Sequence, residues 1–485
     1  MSFLRLLVEY QHYAIAAAGF CLAVIASGHA VLNKRDSQAA VLWVGVIWLA
    51  PVIGPVLYVL LGINRIERKA VSLWSGYELT GGHGTDHRLS TEEITAGLTE
   101  EGRHLNLLMT LVNGIASRPL VRGNKIKALE GGDEAFPAML EAIEAARDSI
   151  NLATYIFDWD RSGREFAEAL GRAVQRGIKV RVLIDDAGGR YSRRSTAEEL
   201  SRRGVKCRRF LRTLNPLNMM GLNLRNHRKI MIVDGRHGFM GGMNIREGCR
   251  LSMNPRSPVR DLHFQVEGPV LAQMQEAFAD DWFFTTGESM SDPRWYPDLM
   301  SDGTVVARGI SDGPDAELRR IQWVMVGALN AARRSVKIVT PYFLPNEVLV
   351  SALNQAARRG VNVDVILPAK SNLPFVQWAM TAGYWKLLTH GVRIWATPSP
   401  FDHTKLLVVD GNWSLIGSSN WDPRSLRLNF EFNLECYDGE LAARLERIAD
   451  EKIATAEAVT LGDVDGRSFV IRLRDGIARL ATPLL

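Results

Sequence analysis

Two long apolar stretches near the N-terminus dominate the hydropathy pattern of the chain. Tyr13 to Leu32 and Ala39 to Ile63 contain no Asp, Glu, Lys or Arg, and a short polar connector separates them. Each stretch is long enough to cross a hydrocarbon core about 30 Å thick. The pattern predicts an N-terminal transmembrane helical hairpin in residues 1–70, with helices at about 13–32 and 39–63. A cleaved signal peptide fits poorly, because a second apolar segment follows at once.

The second stretch has an alternative interpretation, because Pro51, Gly54 and Pro55 can kink it or turn it into a re-entrant segment. Basic residues near the ends of the stretches favour both ends, and the large C-terminal part, on the cytoplasmic side. On the outer flanks these are Arg5, Arg65, Arg68 and Lys69, and in the connector Lys34 and Arg35.

Short apolar runs alternate with helical patterns later in the chain, and they occur twice. Ser149–Phe157 matches Ser335–Phe343, and Arg176–Ile184 matches Arg359–Leu367. Strands that alternate with helices predict an α/β sandwich with a largely parallel sheet. The predicted divisions are a membrane hairpin at 1–70, a linker at 71–125, repeats at 126–300 and 301–460, and a tail at 461–485.

The composition is typical of a globular protein, and positive charge is concentrated in one segment of the chain. The chain has 485 residues and a net charge of +5, with 23% charged residues. Nine basic residues fall between Arg190 and Arg212, against two acids. This run is either a solvated helix face followed by a strand or a surface for an anionic partner. The four cysteines have no metal-ligand spacing.

One polar pattern occurs in both repeats, at the same spacing. Its members are His227, Lys229, Asp234 and Asn244 in the first repeat and His403, Lys405, Asp410 and Asn420 in the second. A histidine and a lysine separated by one residue on a strand point to the same face. A cleft shared by two such strands would hold two imidazoles and two ammonium groups. These groups suit a phosphodiester, since one nitrogen can attack phosphorus and another can protonate the leaving oxygen.

Four carboxylates accompany this pattern, and we expect two roles for them. Asp261 and Glu431 lie on later strand-like segments, one after each histidine, and can accept a hydrogen bond from an imidazole and orient it. Asp234 and Asp410 each precede a glycine in a turn signal. For these two we favour a structural role at the turn, although they belong to the repeated motif.

The repeated motif resembles that of the phospholipase D superfamily, HxKx4D followed by GSxN, twice in one chain. More narrowly, the chain resembles bacterial cardiolipin synthases in its N-terminal hairpin and in Thr154–Asp158, Arg225–Lys229 and Asn420–Glu431. Gly242 departs from this family pattern because it replaces the first serine of GSxN. Ser418 would then be the one such hydroxyl that binds the substrate phosphate, together with Asn244 and Asn420.

The resemblance implies an α/β fold of two phospholipase D-like sandwich repeats packed about a pseudo-two-fold axis. It implies transfer of a phosphatidyl group between two phosphatidylglycerol molecules, which gives cardiolipin and glycerol. His227 would form a phosphatidyl-histidine, and His403 would act as general acid and then as general base. Lys229, Lys405, Asn244 and Asn420 would hold the phosphoryl oxygens. Neither a metal nor a nucleotide cofactor is implied.

The expected partners are phosphatidylglycerol, other anionic phospholipids and the bilayer, with no nucleic acid. The expected location is the bacterial inner membrane, crossed more than once, with the catalytic repeats in the cytoplasm. Three other functions remain open at this point. A hydrolytic phospholipase would use the same site with water as acceptor. A nuclease of the superfamily would explain the basic run, and a non-enzymatic membrane scaffold would leave the repeated motif unexplained.

Overall fold

The computed structural model describes residues 3–34, 37–62, 100–191, 195–211, 224–292, 295–313 and 319–482. The chain divides into two compact units, Met1–Ser72 and Leu73–Leu485. The predicted linker therefore lies outside the described residues between 71 and 99. From residue 100 it contains a 3-10 turn and a helix, and the first strand begins before the predicted boundary at 126.

Within its described residues, the N-terminal unit contains one helix long and apolar enough to cross a membrane. Helix α1 spans Phe3–Asn33, ten residues earlier than predicted, and its apolar part is Ile15–Asn33. The second stretch is not the single helix predicted at 39–63. It forms α2 (Ser37–Leu49), α3 (Ile53–Leu57) and a π-helical turn at Tyr58–Gly62.

The break between α2 and α3 folds the second stretch back on itself. The turn at Pro51 and Val52 lies against Gly19 of α1, and Gly54 approaches the backbone of Val46 so closely that a Cβ would meet its carbonyl oxygen at 2.5 Å. The chain then returns toward the start of the stretch, where the Lys34 ammonium donates to the Gly62 carbonyl. Both ends of the second stretch are therefore on the same side of the unit.

The second unit is built around one large mixed sheet. The strands of this unit are β1 (Val121–Glu130), β2 (Ser149–Thr154), β3 (Lys179–Asp185), β4 (Lys206–Phe210), β5 (Arg225–Asn226), β6 (Ile230–Val233), β7 (His237–Gly241), β8 (Val259–Arg260), β9 (Leu262–Glu267), β10 (Val305–Asp312), β11 (Ser335–Val339), β12 (Asn362–Pro368), β13 (Arg393–Thr397), β14 (Phe401–Asp402), β15 (Leu406–Val409), β16 (Trp413–Gly417), β17 (Asn429–Tyr437) and β18 (Glu457–Val459). Strands β8 and β14 pair in a separate two-stranded sheet, and the other strands belong to the large one.

Helices cover this sheet and complete the second unit. They are α4 (Asn106–Asn113), α5 (Gly132–Ala145), α6 (Arg161–Gln175), α7 (Thr196–Arg202), α8 (Val270–Thr286), α9 (Arg320–Ala331), α10 (Glu347–Arg358), α11 (Pro374–Thr381), α12 (Trp385–Leu388), α13 (Gly439–Ala454), α14 (Leu461–Asp465) and α15 (Phe469–Leu480). The predicted tail thus contains two helices.

The strand order shows the internal repeat directly. From the middle outward, one half reads β1-β9-β7-β6-β2-β3-β4 and the other reads β10-β17-β16-β15-β11-β12-β13, with β18 at its edge. The central strands β1 and β10 pair antiparallel, so the halves are related by a pseudo-two-fold axis. The prediction of a largely parallel sheet is wrong. The hairpins β6–β7 and β15–β16, together with β9 and β17, add antiparallel strands between the two outer groups of parallel strands.

A continuous core joins the two halves. It includes Phe264 and Phe278 from the first half and Phe432 and Leu445 from the second, all buried. Burying large aromatic and aliphatic side chains of this kind stabilises a fold by about 1.5–3 kcal/mol each. The two halves therefore form one rigid support for whatever lies at their interface.

Candidate active site

Two short crossing contacts place the HxK motifs at the interface between the halves. Strand β5, just before His227, pairs with β17 of the second half, and β14, just before His403, pairs with β8 of the first half. The pairing continues into the motifs, since the His227 amide donates to the Phe430 carbonyl at 2.9 Å and the His403 amide donates to the Arg260 carbonyl at 2.7 Å. Each histidine is thus held by the opposite repeat.

The histidine–carboxylate pairs also cross between the halves. His227 Nδ1 lies 3.1 Å from both carboxylate oxygens of Glu431, and His403 Nδ1 lies 2.8 Å from Asp261 Oδ2. The sequence places each acid after the histidine of its own repeat, whereas the structure pairs each acid with the histidine of the other repeat. Carboxylates at Nδ1 leave Nε2 of each ring as the nitrogen for chemistry.

Ser418 supports a carboxylate, in contrast to the phosphate-binding position predicted for it. Its hydroxyl donates to Glu431 and accepts from the Phe432 amide at 3.0 Å. Asn429 adds a bond from Nδ2 to Glu431 Oε1 at 3.0 Å. Ser418 is 1% exposed and lies outside the cavity lining described below. The serine therefore lies behind Glu431, which in turn holds His227.

The first half has no room for an equivalent serine at Gly242. A Cβ on Gly242 would lie 2.4 Å from Asp261 Oδ1. Aspartate is one methylene shorter than glutamate, so the Asp261 carboxylate lies closer to the backbone than its counterpart Glu431 does. The same oxygen accepts from the Leu262 amide at 2.8 Å. The missing serine and the shorter acid are therefore two parts of one local arrangement.

Both lysines of the motifs are buried beside their histidines. Lys229 Nζ donates to the His227 carbonyl at 2.7 Å, and Lys405 donates to the His403 carbonyl. Burial lowers the pKa of Lys229 to about 7 and that of Lys405 to about 8, and the charge of Lys405 lowers the pKa of Lys229 further. Neighbouring carboxylates, chiefly Glu431 for Lys229 and Asp261 for Lys405, oppose this shift.

The two imidazoles are neutral in the unliganded site at pH 7. Burial, with the nearby Lys405, lowers the pKa of His403 to about 4. Burial also lowers the pKa of His227, although Glu431 works in the opposite direction. Burial alone would raise the pKa of Glu431, but the hydrogen bond from His227, the charge of Lys229 and the hydrogen bond from Ser418 lower it overall, so the group is a carboxylate.

A cavity of about 830 Å³ opens at the interface, and both histidines line it. Asn244, Asn420 and Asp261 also lie in its wall. The Asn244 side-chain oxygen accepts from the Ile156 amide at 3.1 Å, so its NH2 group can donate to a bound phosphate. Asn420 Nδ2 donates to Ser425 at 3.3 Å. Five of the predicted site residues thus meet around one space.

Four basic side chains in the same wall were not predicted as site residues: Arg225, Arg246, Lys370 and Arg424. They make the cavity suitable for anionic headgroups. Tyr155 and Tyr342 were also missed, and their rings lie edge-on to His227 and His403 at centroid distances of 5.2 and 6.3 Å. The matching segments Ser149–Phe157 and Ser335–Phe343 were the available signal, because each contains one of these tyrosines shortly after its strand ends.

Asp234 and Asp410 are placed away from the cavity wall, which corrects their grouping with the catalytic residues. Asp234 accepts from the amides of Arg147, Asp148 and Ser149 at 2.8–2.9 Å. Asp410 accepts at 2.7–2.9 Å from three amides at the start of β11, and from His104 Nε2 at 2.6 Å. Each aspartate joins its hairpin turn to the start of the neighbouring strand, as the favoured structural role requires.

The basic run between Arg190 and Arg212 is largely paired with acids of the same unit where the structure describes it. Arg190 pairs with Asp186, and Lys206 pairs with Glu288 at 2.6 Å. Arg193, Arg194 and Arg212 lie outside the described residues. The described part matches the interpretation as a solvated surface.

The chain matches a family described as cardiolipin synthase, PLD-like domain, over residues 139–282 and 325–453. Residues 21–62 match a second family, described as phospholipase D-nuclease N-terminal. The two segments of the first match fall in the two halves of the sheet, and together they cover more than half of the chain.

Curated relatives match almost from end to end. A cardiolipin synthase 1 of Staphylococcus epidermidis is 31% identical over 97% of this chain and 98% of its own length. A cardiolipin synthase of Listeria monocytogenes is 31% identical over 94% of this chain and 95% of its own length. One from Staphylococcus aureus is 30% identical over 94% and 93%.

Among solved structures, a phosphatidylserine synthase of Haemophilus influenzae superposes with a TM-score of 0.61. It covers 78% of this chain and 100% of its own, at 14% identity. At this identity the likeness concerns the fold, and it agrees with the two-repeat α/β architecture described above.

Proposed function

Because the chain belongs to the phospholipase D-like cardiolipin synthase family, we propose that it joins two phosphatidylglycerol molecules into cardiolipin and releases glycerol. It is a membrane-associated phosphatidyltransferase. The observation that carries the proposal for its site is the meeting of His227 and His403, from opposite repeats, in one cavity with basic walls.

In the first step His227 Nε2 attacks the phosphorus of the donor lipid. A P–N bond forms, the bond from phosphorus to the glycerol oxygen breaks, and His403 Nε2 gives its proton to that oxygen. Glycerol leaves, and the phosphatidyl group stays on His227. Glu431 accepts from Nδ1 of the modified ring and stabilises its positive charge, with Ser418 and Asn429 holding the carboxylate in place.

In the second step His403 acts as a base. Its Nε2 takes the proton from a headgroup hydroxyl of the acceptor phosphatidylglycerol, whose oxygen attacks phosphorus. The P–N bond breaks, cardiolipin forms and His227 returns to neutral imidazole. One phosphodiester replaces another, so the exchange changes little in free energy, and exclusion of water from the intermediate decides between transfer and hydrolysis.

The substrate itself supplies the charge that prepares His403 for the first step. With a pKa of about 4 in the empty site, this histidine is neutral at pH 7. A bound phosphodiester anion favours the protonated ring and raises that pKa. The same anion favours protonated Lys229 and Lys405, whose charges stabilise the phosphoryl oxygens together with the amides of Asn244 and Asn420.

Incubation of the purified protein with labelled phosphatidylglycerol in vesicles tests this proposal. We expect cardiolipin and free glycerol in equal amounts. Phosphatidic acid as the main product would identify a hydrolase instead. The Asn420–Glu431 stretch favours the synthase, because the resemblance to cardiolipin synthases rests partly on it. In the structure this stretch supplies Asn420, Ser425, Asn429 and Glu431 to the site.

The N-terminal unit further supports a topology with one spanning helix and a re-entrant segment. Helix α2 has 13 residues, about 20 Å at 1.5 Å per residue, which is shorter than the hydrocarbon core. The re-entrant segment starts and ends on the side of Lys34. In the sequence, Lys34 and Arg35 precede this segment and Arg65, Arg68 and Lys69 follow it, whereas Arg5 lies near the other end of the chain's first apolar stretch.

This distribution of charge favours the Lys34 side as cytoplasmic. The catalytic unit follows on that side, in agreement with the expected cytoplasmic location. The N-terminus, in contrast, is on the opposite side from the one expected for a two-helix hairpin. The turn between α2 and α3 retains a backbone hydrogen bond, as a membrane requires, since the Ala50 carbonyl accepts from the Gly54 amide at 2.6 Å.

A further inference from the structure

Helix α15 presents an apolar face to solvent. Phe469, Val470, Leu473, Ile477 and Leu480 are between 52% and 78% exposed. At about 100° per residue, these five side chains fall within an arc of about 100° on one side of the helix. Such a face is a contact surface that lacks its partner in the isolated unit.

The fold fixes the direction of this face. Asp475 and Ala478, on the opposite side of α15, are buried. Asp475 is paired with Arg467 and Arg474, and the Arg474 guanidinium lies 4.3 Å from the centre of the Trp378 ring in α11. Rotation of the helix to bury its apolar face would break this anchored side, so the exposed stripe is a stable feature of the surface.

Arginines border the apolar stripe on both sides. Arg472 and Arg479 lie on one edge, and Arg474 lies on the other; all three are exposed. An apolar stripe with cationic edges is the arrangement of a helix that lies in a membrane interface, where the stripe enters the acyl region and the arginines meet anionic headgroups. A second copy of the same face would oppose arginine with arginine, which disfavours self-association.

The helix that carries the stripe packs against the helix that borders the active-site cavity. Helix α15 packs on α11, and Leu373 and Val376 at the start of α11 line the cavity that contains both histidines. Leu373 and Phe375 are themselves 45% and 41% exposed. Exposed apolar side chains are therefore present both on the C-terminal helix and at the rim of the cavity, on two helices that pack together.

We propose that α15 and the exposed start of α11 form a docking surface for an anionic phospholipid bilayer. This surface holds the rim of the cavity against the membrane, so that a lipid headgroup reaches the histidines while its acyl chains stay in the bilayer. The choice of a lipid partner rests on the proposed function.

Depth-resolved quenching tests the contact without relying on activity. In the full chain with Cys21→Ser, Leu480→Cys carries an environment-sensitive probe; Cys207, Cys249 and Cys436 are buried. In phosphatidylglycerol vesicles that contain brominated acyl chains, we expect at least a twofold loss of fluorescence.

A probe at Met300→Cys is the matched control and should not be quenched. Met300 is 72% exposed and precedes β10 at the end remote from the site, since Val306 pairs with Tyr437 whereas Asp312 pairs with Glu431. Absence of quenching at Leu480→Cys would overturn the proposal. So would a probe response in detergent that grows with protein concentration, because it would assign the face to contacts between copies.

Activity gives an independent readout. We expect Leu473→Glu with Ile477→Glu to slow cardiolipin formation from bilayer phosphatidylglycerol at least tenfold. The rate with a water-soluble short-chain phosphatidylglycerol should stay within twofold, because that substrate needs no docking. Met300→Glu should leave both rates unchanged. Equal rates on bilayers for the double variant and the unaltered protein would overturn the proposal.

The two proposals fail in different ways. If the unaltered protein makes no cardiolipin from either substrate, the proposed function is wrong, and quenching at Leu480→Cys still decides whether the surface docks.

Discussion

At the scale of single residues, the two halves of the site hold their carboxylates in different ways. Each must hold a carboxylate against the histidine of the other half. The second half uses Glu431 with Ser418 behind it, and the first uses the shorter Asp261 with Gly242. The departure of Gly242 from the family motif is therefore a steric requirement of Asp261.

Restoring the family serine should damage the site. Gly242→Ser would place Cβ 2.4 Å from Asp261 Oδ1, and displacement of this carboxylate would misorient His403. A shift on the order of 1 Å in a catalytic group can cost about 100-fold in rate, so we expect a loss in kcat of that size with little change in melting temperature.

Gly439→Ala is the matched control, because a Cβ there meets its nearest neighbour at an ordinary 3.7 Å. It should keep full activity. A Gly242→Ser variant as active as this control would show that Asp261 does not need the space.

The crossed pairing predicts that the two acids affect different limbs of the pH profile of kcat. His227 must be neutral to attack, and Glu431 raises its pKa. Glu431→Gln therefore lowers that pKa further and moves the acidic limb of the kcat profile to lower pH. His403 must be protonated to release glycerol, and Asp261 raises its pKa. Asp261→Asn therefore moves the alkaline limb to lower pH.

Both variants should lose about 100-fold or more in kcat, because each imidazole loses its orienting partner. Profiles between pH 4 and 9 measure the limbs. An acidic limb that moves in Asp261→Asn and stays in Glu431→Gln would show that each acid serves the histidine of its own repeat.

At the scale of elements, the aspartate of each HxKx4D motif forms a brace, that is, a set of hydrogen bonds from its hairpin turn to the start of the neighbouring strand. Asp234 and Asp410 adopt left-handed backbone conformations with φ of 52° and 54°, at the turns of the β6–β7 and β15–β16 hairpins. Each accepts three amide protons from the start of the strand beside its hairpin. The brace fixes the end of the strand that follows the histidine and lysine, and neither aspartate lines the cavity.

Removal of a brace should affect stability more than chemistry. We expect Asp410→Asn to lower the free energy of unfolding by about 2–4 kcal/mol, because hydrogen bonds to a charged acceptor contribute about 1.5–3 kcal/mol each and the amide replaces only part of them. The melting temperature in detergent measures this loss, and kcat of the folded protein should stay within about threefold.

Asp302→Asn serves as control, because this aspartate forms an exposed pair with Lys125 and should leave the melting temperature unchanged. A fall of 100-fold or more in kcat for Asp410→Asn at unchanged stability would instead assign the aspartate a direct part in the reaction.

Sequence periodicity predicted the elements that are long or repeated. The strands at Ser149 and Ser335, the turns at Asp234 and Asp410 and the alternation of strands with helices are all present. It could not predict β5, β8 and β14, because strands of two residues have no periodicity. These strands pair one half with the other. The pairing of Asp261 and Glu431 with the histidine of the opposite repeat therefore could not be predicted from either repeat alone.

At the scale of the whole molecule, the N-terminal unit predicts a topology that differs from a two-helix hairpin. One spanning helix with a re-entrant segment puts the N-terminus and the catalytic unit on opposite sides of the membrane. In spheroplasts, an N-terminal epitope tag should be cleaved by external protease while a C-terminal tag is protected. Protection of both tags would show that the second stretch spans the membrane.

The account as a whole depends on one division of labour between the halves: the first supplies the nucleophile and the second supplies the acid and base. Rapid acid-free quenching of the enzyme during turnover of acyl-labelled phosphatidylglycerol, followed by peptide mapping, tests this most directly. We predict an acid-labile phosphatidyl adduct on the peptide that contains His227, absent in His227→Ala. An adduct on the peptide that contains His403 would contradict the account.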